Sequence, residues 1–149
     1  MLARSSFDYA VVRVVPRVER GEFLNAGVIL FCRTRRFLQA RIELDQQRLN
    51  LLHPGIDAME VERHLALIPV VCAGGRGAGP IGQLSLAERF HWLVSPKSAM
   101  IQTSPVHSGL CTDPLATLER LLGMLVRVPT EINASDAVPE PRGSRSGRP

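Results

Sequence analysis

The chain has 149 residues, with 45% apolar and 21% charged side chains and a formal net charge of +4. That length suits one core rather than two, and the balance suits a soluble globule rather than a disordered chain. The longest uncharged apolar stretch, between Arg63 and Arg76, contains Pro69 and is too short for a membrane span.

The first third reads as three strands. Phe7 to Val15 is rich in β-branched and aromatic residues and is closed by Pro16. Leu24 to Cys32 is apolar at both parities, the pattern of a central strand covered on both faces. Phe37 to Leu44 alternates, with Leu38, Ala40, Ile42 and Leu44 facing inward. The connections are short and one carries Gly21, so the three strands are expected to form an antiparallel meander.

Helices are expected next. Asp45 caps a short one that ends at His53-Pro54-Gly55, and Asp57 with Glu60 opens another through Val61, Leu65 and Ile68. Pro69 has no N–H to donate, so it should kink that helix or end it. Gly74 to Gly82 holds five glycines and reads as a loop. Ser85 with Glu88 is a capping box for a helix through Leu86, Phe90 and Leu93, which Ser95-Pro96 stops. Ile101 to Leu110 reads as extended. Asp113-Pro114 then starts a last helix with Leu115, Leu118, Leu122 and Leu125 on one buried stripe and Leu121 beside it. From Pro129 onward Pro, Gly, Ser and Arg dominate, the composition of a disordered tail.

Residues 1–44 hold eight arginines against four acidic residues, so the whole charge excess lies there. Arginine suits phosphate, and nucleic acid is the functional reading of that bias. An arginine-rich genome composition explains it without any function, and high pI alone is weak evidence for binding. Arg13 shares a strand face with Phe7, Tyr9, Val11 and Val15, so it either snorkels to the rim or pairs with an acid. Arg17 and Arg20 lie in the next connection beside Glu19 and Glu22, which can neutralise them; an arginine cluster for phosphate is the functional reading, and a solvated hairpin tip is the simpler one.

Two further segments have chemical promise. Gly77-Ala78-Gly79-Pro80-Ile81-Gly82 matches the dinucleotide-binding pattern, but no strand precedes it and no acid follows about twenty residues on. Pro80 also removes an N–H that a phosphate needs. Ser104-Pro105-Val106-His107-Ser108-Gly109-Leu110-Cys111 gathers hydroxyls, an imidazole and a thiol before a helix N-terminus, where a thiol pKa can fall. A Cys/His pair needs base and nucleophile within hydrogen-bond reach; the bland alternative is a loop whose polar groups serve turns and caps. Cys32 and Cys72 read as core residues, and His64 as half-buried or exposed on its helix. The four histidines and three cysteines show no metal-ligand spacing, so neither a metal nor a cofactor is expected. Three cysteines at irregular spacing, with no apolar leader in Met1-Leu2-Ala3-Arg4-Ser5-Ser6, fit a reducing cytoplasm.

The run from Phe7 through Val15-Pro16-Arg17-Val18-Glu19-Arg20, with Phe23-Leu24-Asn25-Ala26-Gly27-Val28-Ile29-Leu30, resembles the N-terminal signature of the uncharacterised bacterial family DUF3037. Phe90-His91-Trp92-Leu93-Val94-Ser95-Pro96 and Gln102-Thr103-Ser104-Pro105-Val106-His107-Ser108-Gly109-Leu110 are similar to its second and third blocks. The family has no established activity, so the resemblance supplies no catalytic residue. Its members are often encoded beside HipA-like serine/threonine kinases, which implies a partner or regulatory role.

The expected fold is α+β: a three- or four-stranded, mainly antiparallel sheet with helices packed on it, in one domain over 1–128, followed by the tail 129–149. The expected function is a non-enzymatic cytoplasmic accessory or interaction protein, with a HipA-like kinase as the implied partner and no membrane association. Two alternatives remain: weak nucleic-acid binding through the basic N-terminal third, and a small enzyme using His107 with nearby Ser or Cys. The candidate binding residues are Arg13, Arg17, Arg20, Ser104, His107 and Ser108.

Overall fold

Ser5–Val14 forms β1, and the other strands are built outward from it. The computed structural model describes residues 3–97 and 99–129. The expected tail, apart from Pro129, lies outside the described residues. On one side β1 pairs with β2 (Leu24–Cys32), which pairs in turn with β3 (Phe37–Ile42). On its other side β1 pairs with two short strands in series, β4 (Ile101–Thr103) and β5 (His107–Cys111). All pairings are antiparallel.

Among the described residues the sheet thus has five strands but is four wide, where three or four strands are expected. The difference lies in the segment read as one extended stretch. Val12 faces Thr103 and Tyr9 faces His107, so Ala10 and Val11 are opposed by three residues, Ser104, Pro105 and Val106. One extra residue makes a bulge, and Pro105 cannot donate to a ladder. Strand β5 packs tightly behind it: a Cβ at Gly109 would stand 2.7 Å from the Phe7 ring, so only glycine fits there.

Strand β2 is covered on both faces, as its double-parity apolar pattern requires. One face carries Ile29 and Phe31 against Leu65, Ile68 and Phe90; the other carries Val28, Leu30 and Cys32 against Leu118, Leu121 and Leu122. The first face is roofed by α1 (Gln46–Leu52), α2 (Ala58–Ala73) and α3 (Leu86–Val94), and the second by α4 (Pro114–Leu125). The caps are those the sequence indicates. Asp45 accepts from Arg48 N–H, Asp57 from Glu60 N–H, and Asp113 from Leu115 and Ala116 N–H. Ser85 and Glu88 form a reciprocal capping box.

One open alternative is decided and two local expectations are corrected. Pro69 does not end α2, which continues to Ala73. Ile68, Val71 and Cys72 are buried around it, and the Arg89 guanidinium caps the last turn. Its Nη1 donates to Val71 O at 2.9 Å and Cys72 O at 2.6 Å, and its Nε donates to Leu84 O at 3.1 Å. A cation at a helix C-terminus also complements the dipole. Gly74 follows at φ 71° and leaves the guanidinium room, since a Cβ there would meet Nη1 at 2.5 Å. The glycine-rich segment, expected as plain loop, forms 3-10 turns over Arg76–Gln83, broken at Gly79 with φ 66°. Its ends are joined by Gly75 N–H donating to Gly82 O at 3.0 Å. Finally, Leu115 is 43% exposed rather than buried; it sits in the first turn on the flank of a stripe carried by Thr117, Leu118, Leu121 and Leu122.

Candidate functional site

The segment richest in reactive groups is used by the sheet. Ser104 is buried, its N–H donates to Val11 O at 2.8 Å, and its Oγ accepts Val11 N–H at 2.8 Å. Ser108 Oγ donates to Asp8 Oδ1 at 2.6 Å across the β1–β5 ladder. His107 is exposed and lies against Tyr9, with ring centroids 5.4 Å apart. The imidazole has no side-chain hydrogen bond among the described residues, contrary to what a structural histidine at this position would show. Cys111 is buried beside Cys32, and burial pushes its thiol pKa up, with the Cys32 thiol adding to the rise. His107 and Cys111 are four residues apart on one strand, about 13 Å at strand rise. The structure therefore brings His107 to Tyr9 and Ser108 to Asp8, and keeps His107 away from Cys111.

The arginine candidates do not converge either. Arg13 pairs with no acid among the described residues: its guanidinium lies 4.1 Å over the Phe23 ring, a cation–π contact. Its Nε and the Oδ1 of Asn25, which faces it across the ladder, are both buried without hydrogen-bond partners among the described residues. Arg17 pairs with Glu19 at 3.5 Å and Arg20 with Glu22, as their spacing suggests. Elsewhere in the basic third, Arg35 donates to Ser5 Oγ and Ala3 O, and Arg41 pairs with Glu119 at 2.8 Å.

The most site-like feature is a groove that none of those residues touches. Between α2, α3, the 3-10 turns and β4 lies a cavity of about 470 Å³, lined mainly by apolar side chains, in the size range of ligand and peptide-anchor pockets. Leu67 and Trp92 stand on its rim at 59% and 41% exposure, and Val70, also exposed, lines it too. Lys97 places Nζ 4.1 Å over the Trp92 ring. Burial pulls the Lys97 ammonium below its ordinary pKa, and no carboxylate among the described residues pairs with it. At the helix α2 edge His64 faces Glu60 at 3.8 Å. On the strand side Gln102 Nε2 donates to Ala99 O at 2.8 Å, leaving its carbonyl oxygen available.

Sequence reasoning missed this groove because its parts come from four separate segments. One local signal was present: Trp92 and Lys97 are the only tryptophan and the only lysine, five residues apart on either side of the Ser95-Pro96 helix stop. Among the described residues no three His, Cys, Asp or Glu side chains gather as a metal site requires, and no single helix is long and apolar enough to cross a membrane.

An antiparallel sheet roofed by helices on both faces, with an apolar groove at one edge, defines an α+β fold. The chain belongs to the family described as "Protein of unknown function (DUF3037)", whose model matches residues 9–126. Comparison with curated proteins and with solved structures found no match.

Proposed function

We propose that this protein is a non-enzymatic accessory protein that binds another protein through the groove between α2, α3 and β4. The observation that carries the reading is the groove itself, in which Leu67, Val70 and Trp92 are partly uncovered beside a cation that has no acidic partner among the described residues. An apolar concavity with a few polar groups at its rim is the usual form of a binding site, and the occupant that complements Lys97 is an apolar segment carrying a carboxylate. The Ser104–Cys111 segment supports catalysis less well, since Ser104 and Ser108 already serve the sheet and the Cys111 thiol is buried and held protonated. Paired arginines likewise weaken the nucleic-acid reading. We put a HipA-like serine/threonine kinase first as partner, on the family resemblance, and a cytoplasmic setting goes with the three free thiols.

The test uses the purified full chain and a purified HipA-like kinase from the same genome. Binding measured by calorimetry is expected to weaken at least about tenfold, roughly 1.4 kcal/mol, in Leu67→Asp and Trp92→Ala, while their melting temperatures stay near that of the unsubstituted chain. Absence of kinase binding overturns the choice of partner. Binding that both variants leave untouched overturns the choice of groove.

A further inference from the structure

One wall of the groove is a sheet edge. Among the described residues strand β4 is the last on its side of the sheet. Val15 N–H donates to Met100 O, Ser104 N–H donates to Val11 O, and Gln102 stands opposite Arg13 between them. Met100, Gln102 and Ser104 are therefore the residues bonded to β1. In an antiparallel ladder the residues between them turn their backbone groups the other way. The N–H and C=O groups of Ile101 and Thr103 face out from the sheet, and none has a partner among the described residues. Both residues line the groove.

Direction then selects which end of an added strand meets the cation. A chain pairing antiparallel with β4 runs from Thr103 toward Ile101, so its C-terminal end arrives beside the segment leading into β4. That segment carries Lys97 over Trp92. An amphipathic small acid would supply a carboxylate and an apolar body, but nothing to match the donors and acceptors of Ile101 and Thr103. A polypeptide supplies all three.

We propose that the groove captures the free C-terminus of a partner polypeptide. Its last residues pair as a short strand with β4, an apolar side chain at the end fills the cavity between α2 and α3, and the terminal carboxylate meets Lys97. Strand addition gives affinity through main-chain bonds, and the pocket gives side-chain selectivity. Lys97 stands over Trp92 with no carboxylate partner among the described residues, and an incoming anion offsets the partial desolvation of its ammonium. The proposal rests on the groove being the partner site.

The experiment is selection of random heptapeptides displayed with free C-termini on the full chain, followed by synthesis of the best sequence as acid and as C-terminal amide. Expected are apolar final residues, a loss of at least about tenfold in the amide, and binding of the acid by Lys97→Met no tighter than that of the amide. Amide hydrogen exchange at Ile101 and Thr103 should slow on binding. Failure to enrich any sequence, equal binding of acid and amide, or unchanged exchange at both residues overturns the capture of a C-terminus. The groove reading survives such an outcome if Leu67→Asp still weakens the kinase. Displacement of the selected peptide by a synthetic peptide of residues 130–149 overturns the assignment to a partner and makes this chain its own ligand.

Discussion

Ser104 Oγ accepts the Val11 N–H at 2.8 Å, the position that a main-chain carbonyl takes in an unbroken ladder. The hydroxyl then donates onward to Pro105 O at 2.9 Å. One side chain thereby bridges the bulge between β4 and β5 and satisfies a buried donor in the middle of β1.

Ser104→Ala leaves the Val11 N–H without its acceptor, and an orphaned buried donor costs about 1–3 kcal/mol. Urea denaturation of the variant should show a loss in that range. His107→Ala, on the same edge, removes only an exposed ring resting on Tyr9 and should lose less than about 1 kcal/mol. Equal losses for the two would remove the distinction between them.

Arg89 is 8% exposed and holds three carbonyls at the junction of α2, the 3-10 turns and α3. Hydrogen bonds to charged groups contribute about 1.5–3 kcal/mol, so Arg89→Met should destabilise at least that much. Arg89→Lys should recover little of it, because an ammonium lacks the planar fork that reaches all three carbonyls. Full stability of the lysine variant would reduce the role of Arg89 to its charge.

Val28 is fully buried against α4, and Val28→Asp places a carboxylate there without a partner. Loss of folded protein on expression is the expected result, read by yield and circular dichroism. A folded variant of normal melting temperature would show that the α4 face tolerates charge.

Glu43 receives two hydrogen bonds from Arg127, at 2.9 and 2.6 Å, and these hold its carboxyl below the usual carboxylate value of 4.5. A depressed folded-state pKa adds stability above the unfolded value, and that stability is lost as pH falls through the folded one. Both side chains are largely exposed, so the effect is small and screened by salt. Glu43→Gln should melt slightly below the unsubstituted chain at neutral pH and low salt. The gap should close as the solution is acidified below about pH 4. A gap that persists there would assign the difference to something other than ionisation.

Legibility in the sequence followed the range of the interaction involved. Caps at Asp45, Asp57, Ser85 and Asp113 depend on residues two to four apart, and each lies where its spacing places it. The two-sided burial of β2 was visible because a central strand needs apolar residues at both parities. The choice between ending α2 at Pro69 and continuing past it was not legible locally, because it depends on Arg89, seventeen residues beyond Cys72. The break between β4 and β5 depends on a hydroxyl meeting an amide 93 positions away. The groove is less legible still, since Leu67, Trp92, Lys97 and Gln102 become neighbours only once both helices lie on the sheet.

The interruption at Ser104-Pro105-Val106 also governs how this molecule meets copies of itself in a crowded solution. A long, straight outer strand is a template for uncontrolled stacking of sheets. Here the border is divided into lengths of three and five residues by an offset that contains a proline. An intruding strand loses register before it can grow into a fibril seed, and Asp8 bonded to Ser108 keeps polar groups on the longer piece. Deleting Pro105 to restore one continuous register would remove that safeguard, and the resulting protein should aggregate sooner on heating.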